Sequence, residues 1–142
     1  MNATTTDHGL SGWWRRVWAQ IIDALIVVVV AIVLIAVGFS AGTAVGVVLI
    51  IAGIFSYVAY FVIGHGSRSG QTLGKKVLGI AVKGDIVHAR ISYARAFGRL
   101  LALIVLGWIP LVNLHNLLWP LWDGENQALH DKLADTVVVQ VR

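Results

Sequence analysis

An all-α transmembrane domain is the fold class this sequence predicts. It has two full spanning helices, a third hydrophobic segment interrupted by Gly and Pro, and a small cytoplasmic β-ribbon. Three observations carry that expectation. Apolar residues make up 58% of the 142 and charged residues 13%, whereas a soluble domain carries about a quarter charged residues. The stretch from Val17 to Val37 is interrupted only by Gln20 and Asp23; at 1.5 Å per residue it covers roughly 30 Å, the thickness of a bilayer's hydrocarbon core. Finally, the net charge of +4 comes from short basic stretches that flank hydrophobic spans. It therefore reads as a topology signal and not as a nucleic-acid surface. The chain contains no cysteine, which excludes disulfides, thiol catalysis and thiolate-ligated metal sites.

Residues 1–12 are small and polar and are expected to form a disordered tail. The first helix is expected over 13–37, with Trp13, Trp14 and Trp18 as an aromatic belt beside Arg15 and Arg16. A cleavable signal peptide does not fit, because the apolar run is too long and a second span follows almost at once. Asp23 is the least accidental residue of this helix: a carboxylate inside the bilayer costs a few kcal/mol unless it finds a partner. Arg16 lies two helical turns earlier on the same face, so the two define a polar stripe entering the membrane from one side.

The second helix is expected over 44–63. Gly38, Gly42 and Gly46 recur at a spacing that permits close helix contact, but the repeat straddles the turn and is read as turn and turn-flanking glycines. Residues 64–92 form a basic loop, and by the positive-inside rule it lies in the cytoplasm together with the N-terminus. Within it, Lys76 to Lys83 reads as a strand ended by Gly84-Asp85, and the β-branched run from Thr136 to Val141 is the natural partner. Ser92 is positioned to cap a helix starting at Tyr93. Residues 93–122 then read either as one kinked span or as a hairpin of two short helices of roughly 24 and 18 Å. Pairing of the two strands requires the hairpin, which returns the C-terminus to the cytoplasmic side.

Three motifs now stand in order: Arg16 to Asp23 at the start of the first helix, Gly70-Gln71-Thr72-Leu73-Gly74-Lys75-Lys76-Val77-Leu78-Gly79-Ile80 in the loop, and Gln127 to Val138 near the end. Together they resemble the RDD family of small bacterial membrane proteins, named for one arginine and two aspartates. The resemblance places those residues at Arg16, Asp23 and Asp131 and covers nearly the whole chain. The acidic run Asp123-Gly124-Glu125-Asn126 departs from relatives that are often basic there. The resemblance implies a bacterial cell-membrane location and a transport role, including monovalent cation/proton exchange for some members.

The residues themselves leave two readings of Asp23 open. It is a protonatable or cation-binding group on a pathway, or a packing charge held by Arg16, Arg95 or Arg99. For Asp131 the plainer reading is a helix cap or a bridge to Lys132 or the basic loop. His130 adjoins Asp131, which suggests a metal or acid/base pair, but adjacent residues diverge by about 100° on a helix, so the two do not converge on one ligand without help. Gly70 to Lys76 does not fit a phosphate-binding P-loop, because Ser69 and Lys76 occupy positions that need Gly and Ser or Thr. Its glycines let backbone approach the helix ends, and Lys75 and Lys76 meet lipid phosphate or acidic side chains. No catalytic constellation, metal cluster or cofactor motif is present, so an enzyme is not expected. The expected functions are transport of a small solute or cation, or service as an accessory subunit of a larger membrane complex. The expected partners are anionic lipid headgroups and either further copies of the chain or a larger membrane-protein complex.

Overall fold

The computed structural model describes residues 9–86 and 88–141. Two long helices form the frame, α1 (Trp13–Ala41) and α2 (Thr43–Gly66). Both are apolar and long enough to cross a bilayer. Their flanks stay exposed: Leu25 and Val29 at 59%, Ile54 at 59% and Phe55 at 72%. Apolar surface on this scale is stable only against lipid or protein, and the molecule is a membrane protein.

The helices run longer than the sequence led us to expect, and the turn between them is a single residue. Gly42 makes it with φ +93°, in a region closed to most side chains. Gly38 and Gly46 are not turn residues. They lie inside α1 and α2, where a Cβ on Gly38 would sit 3.0 Å from the Gly46 Cα, so the close-contact reading of this spacing holds for that pair.

After α2 the chain folds back over the helix ends. A short helix, α3 (Leu73–Val77), packs on α1 and leads into β1 (Ile80–Gly84). The strand therefore starts later than Lys76; that residue and Val77 are helical. β1 pairs antiparallel with β2 (Thr136–Gln140), in the register Val82 opposite Val138. Residues 9–11, part of the stretch expected as tail, run along the far side of β2: Ser11 N donates to Val138 O at 2.8 Å and Gln140 N to Gly9 O at 2.8 Å. The first eight residues of that stretch lie outside the described part of the chain.

The third hydrophobic segment is two helices. α4 (Tyr93–Gly107) is capped by Ser92, whose hydroxyl accepts from Arg95 N at 3.1 Å. α5 (Pro110–Leu118) begins on its proline, a residue suited to the first helical turn. A 3-10 turn (Trp119–Leu121) and a short helix, α6 (Leu129–Leu133), then lead to β2. α4 starts against the end of α2, where the Tyr93 ring fills the space beside Gly66. α5 ends against the start of α1, with Trp13 Nε1 donating to Leu117 O at 2.8 Å. The segment thus leaves and returns to the same end of the α1–α2 pair.

The well-buried apolar core lies at that end. It joins Ala19, Ile80, Val82, Ile91, Ala96 and Val138, so the ribbon closes over the mouth of the helices.

Candidate functional site

Beneath the ribbon the chain buries Arg16, Lys75 and Arg99 together with Asp23 and Asp131. Ionised groups are rarely buried without partners, and here they fall into two centres.

The first centre is Asp23. Tyr60 donates its hydroxyl to Oδ1 at 2.6 Å, Thr72 donates to Oδ2 at 2.6 Å, and Gly74 N donates to Oδ1 at 2.8 Å. Its nearest cation is Lys75, with Nζ 4.0 Å from Oδ2. None of the arginines considered from the sequence holds it; α1 presents Asp23 to α3 and α2 instead. The loop motif explains itself here. Gly74 abuts α1 so closely that a Cβ would lie 2.2 Å from the Ala19 carbonyl oxygen. Gly70, at φ +68°, lets Val82 N reach its carbonyl at 2.8 Å. Gln71 donates to Ile80 O at 3.0 Å. Together these contacts fasten the loop to both the ribbon and α1. Lys75 is buried beside acidic Asp23, whereas Lys76 is exposed.

The second centre is Asp131. Arg16 Nη1 donates to Oδ2 at 2.8 Å, and Arg99 donates to Oδ1 from Nε at 2.9 Å and from Nη2 at 2.5 Å. Asp131 Oδ2 also accepts from Ala128 N at 3.1 Å, closing the first turn of α6. Asp131 is thus both a cap and a bridge, but its charge partners are Arg16 and Arg99. Lys132 pairs elsewhere, with Asp123 at 2.6 Å. Arg95 is exposed on α4 and outside both centres. Burial works against the ionised Asp131 carboxyl; the Arg99 guanidinium, with Arg16, overcomes this and holds its pKa far below the ordinary carboxylate range.

The help that brings His130 and Asp131 together is Arg99, whose Nη2 meets both side chains. The His130 Nε2 is 3.1 Å from Arg99 Nη2 and its Nδ1 is 2.8 Å from Asn116 Oδ1. A guanidinium can only donate and an amide oxygen can only accept, so the ring is neutral with its proton on Nδ1. Burial, reinforced by Arg99, pushes the His130 pKa from 6.5 to about 3. The folded state then binds fewer protons than the unfolded state between those values. Stability contributed here is complete above pH 6.5 and is lost as pH falls toward 3. A drop from pH 6.5 to 5 is expected to cost about 2 kcal/mol, read as a lower thermal midpoint in detergent. His130→Gln should remove that share of the acid sensitivity; an undiminished fall in the variant would acquit His130.

Sequence reasoning passed over Tyr60, His65 and Asn116. For Tyr60 a signal existed: it stands almost as far after Gly42 as Asp23 stands before it, so a tight helical hairpin sets the two side by side. His65, 3.4 Å from Arg99 Nη1, and Asn116 had no comparable marker.

Beside the Asp131 centre lies a cavity of about 250 Å³ at the junction of α1, α4, α5 and α6, with Arg16, Arg99, His130 and Asp131 in its wall together with Lys75, the cation nearest Asp23. A family model described as the RDD family matches residues 10–135. The chain belongs to the RDD family. No curated protein and no solved structure matches it. Of the three residues that the resemblance puts at the name-giving positions, Arg16 binds Asp131, and Asp23 is held separately by the loop motif.

Proposed function

We propose that this RDD protein binds a small polar solute in the cavity walled by Arg16, Lys75, Arg99 and Asp131 and passes it across the bacterial cell membrane. The observation that carries the reading is the cavity itself. A charge network that served packing alone would be expected to close on itself, since each buried ion costs several kcal/mol unless partners engage its remaining donors and acceptors. Here Arg16, Lys75, Arg99 and Asp131 instead surround open space. Both termini and the ribbon lie on the cytoplasmic side in this reading, supported by Arg68, Lys76, Lys83 and Arg90 around the connecting loop. Two spanning helices enclose no path alone, so the working unit is an oligomer of this chain in contact with anionic headgroups.

A second reading, an accessory subunit in a larger membrane complex, is favoured by one feature. An apolar groove of about 450 Å³ runs between α1 and α2, bordered by Leu34, Ile50, Gly53 and Tyr57, and it could receive a partner's helix. Asp23→Asn separates the two readings. Reconstituted in liposomes, the folded variant is expected to lose flux of protons, sodium, potassium and inorganic phosphate in whichever of these the parent shows it. Absence of any flux in the parent, with a stoichiometric partner co-purifying in mild detergent, would transfer the protein to the accessory reading.

A further inference from the structure

The cavity wall carries more positive charge than it can match. Arg16, Lys75 and Arg99 line it, and Asp131 is the carboxylate among its lining residues. Asp23 stands behind Lys75 at 4.0 Å. Counting it as well, the buried charges of the described residues still include one more cation than carboxylates. An unmatched buried charge is costly, and an anion entering the cavity would relieve it.

Two of these cations have unused donors. Lys75 is 6% exposed, and its Nζ lies beyond hydrogen-bond reach of its nearest described carboxylate, although an ammonium carries three donors. Arg16 is 8% exposed, its Nε is buried without a partner among the described residues, and its Nη2 makes only a long 3.4 Å bond to Val138 O. Both buried carboxylates, by contrast, are engaged by several donors each. The site is short of acceptors, which is the wrong provision for a metal cation and the right one for an oxyanion.

We propose that the cavity is an oxyanion site that takes a phosphate group, held by Lys75 and Arg16, either as free phosphate or as the headgroup phosphate of a lipid. The proposal rests on the reading of the cavity as a solute site and names its ligand class. Phosphate suits donors arriving from separate elements, here α1 and α3, because its oxygens accept from several directions. Trp13 is part of the cavity wall, and Trp14 and Arg15 follow it in α1, residue types that settle at headgroup level. Burial holds the Lys75 ammonium down at about 8, and a bound anion would return it to full charge.

Isothermal titration of the full chain in mild detergent tests this, first with inorganic phosphate and then with short-chain phosphatidylglycerol. Saturable binding of either is expected; phosphate alone assigns a soluble ion, the lipid alone a headgroup. Gln20 lines the cavity on an exposed position of α1, so its substitution leaves the buried network intact. Gln20→Glu is expected to weaken binding by about tenfold and Gln20→Lys to tighten it. Lys75→Gln should abolish it in protein whose thermal midpoint shows that it is folded. Failure of both probes to saturate, or equal binding to parent and Gln20→Glu, overturns the proposal. Binding of either probe without flux keeps the site and sinks transport; cation flux with neither probe bound does the reverse.

Discussion

Asp131→Asn is expected to cost about 3–5 kcal/mol, the penalty for leaving buried charge without its counter-charge. The carboxylate is the shared acceptor of Arg16 and Arg99, on α1 and α4, and it also closes the first turn of α6. The amide removes the negative charge and brings donors where the guanidiniums already donate. Three elements then lose their common tie, so the variant should accumulate poorly and melt well below the parent in detergent. Replacing Asp131, Arg16 and Arg99 together by Leu, Met and Met should recover much of the loss, because no lone charge remains buried. A single variant within about 1 kcal/mol of the parent would show that the triad is not a main tie between the helices.

Gly74→Ala is expected to be the second large effect. The added methyl would stand 2.2 Å from the Ala19 carbonyl oxygen and 2.9 Å from the Asp23 carboxyl carbon. The first of these is backbone of a 29-residue helix, which cannot step aside as a side-chain tip can. α3 must therefore lift from α1, taking with it the Gly74 N and Thr72 bonds to Asp23. We expect about 3 kcal/mol of lost stability, the upper end for overpacking, and in surviving protein a changed Lys75 environment. Gly98→Ala is the control: a Cβ there meets nothing within 4 Å, and alanine favours the helix by roughly 0.5–1 kcal/mol. Melting curves that rank the two alike would remove steric contact as the reason for glycine at position 74.

The elements that depend on local or periodic signals were legible in the chain. Apolar length marked α1 and α2, Ser92 before an apolar run marked the start of α4, and two β-branched stretches marked the ribbon. The family motifs also named Arg16, Asp23, Asp131 and the loop at 70–75, while Arg95 and Arg99 entered only as possible partners of Asp23. Which charge meets which was not legible there. Helical spacing correctly puts Arg16 and Asp23 on one face, but two turns separate them by roughly 10 Å along the axis, too far for a direct pair. That face meets two different elements, α6 opposite Arg16 and α3 opposite Asp23. Likewise His130 and Asp131 diverge along their own helix and converge only because Arg99 arrives from α4. Periodicity along a chain fixes the direction in which a side chain leaves its helix. The partner waiting there is set by how distant segments pack, and that is a property of the folded molecule.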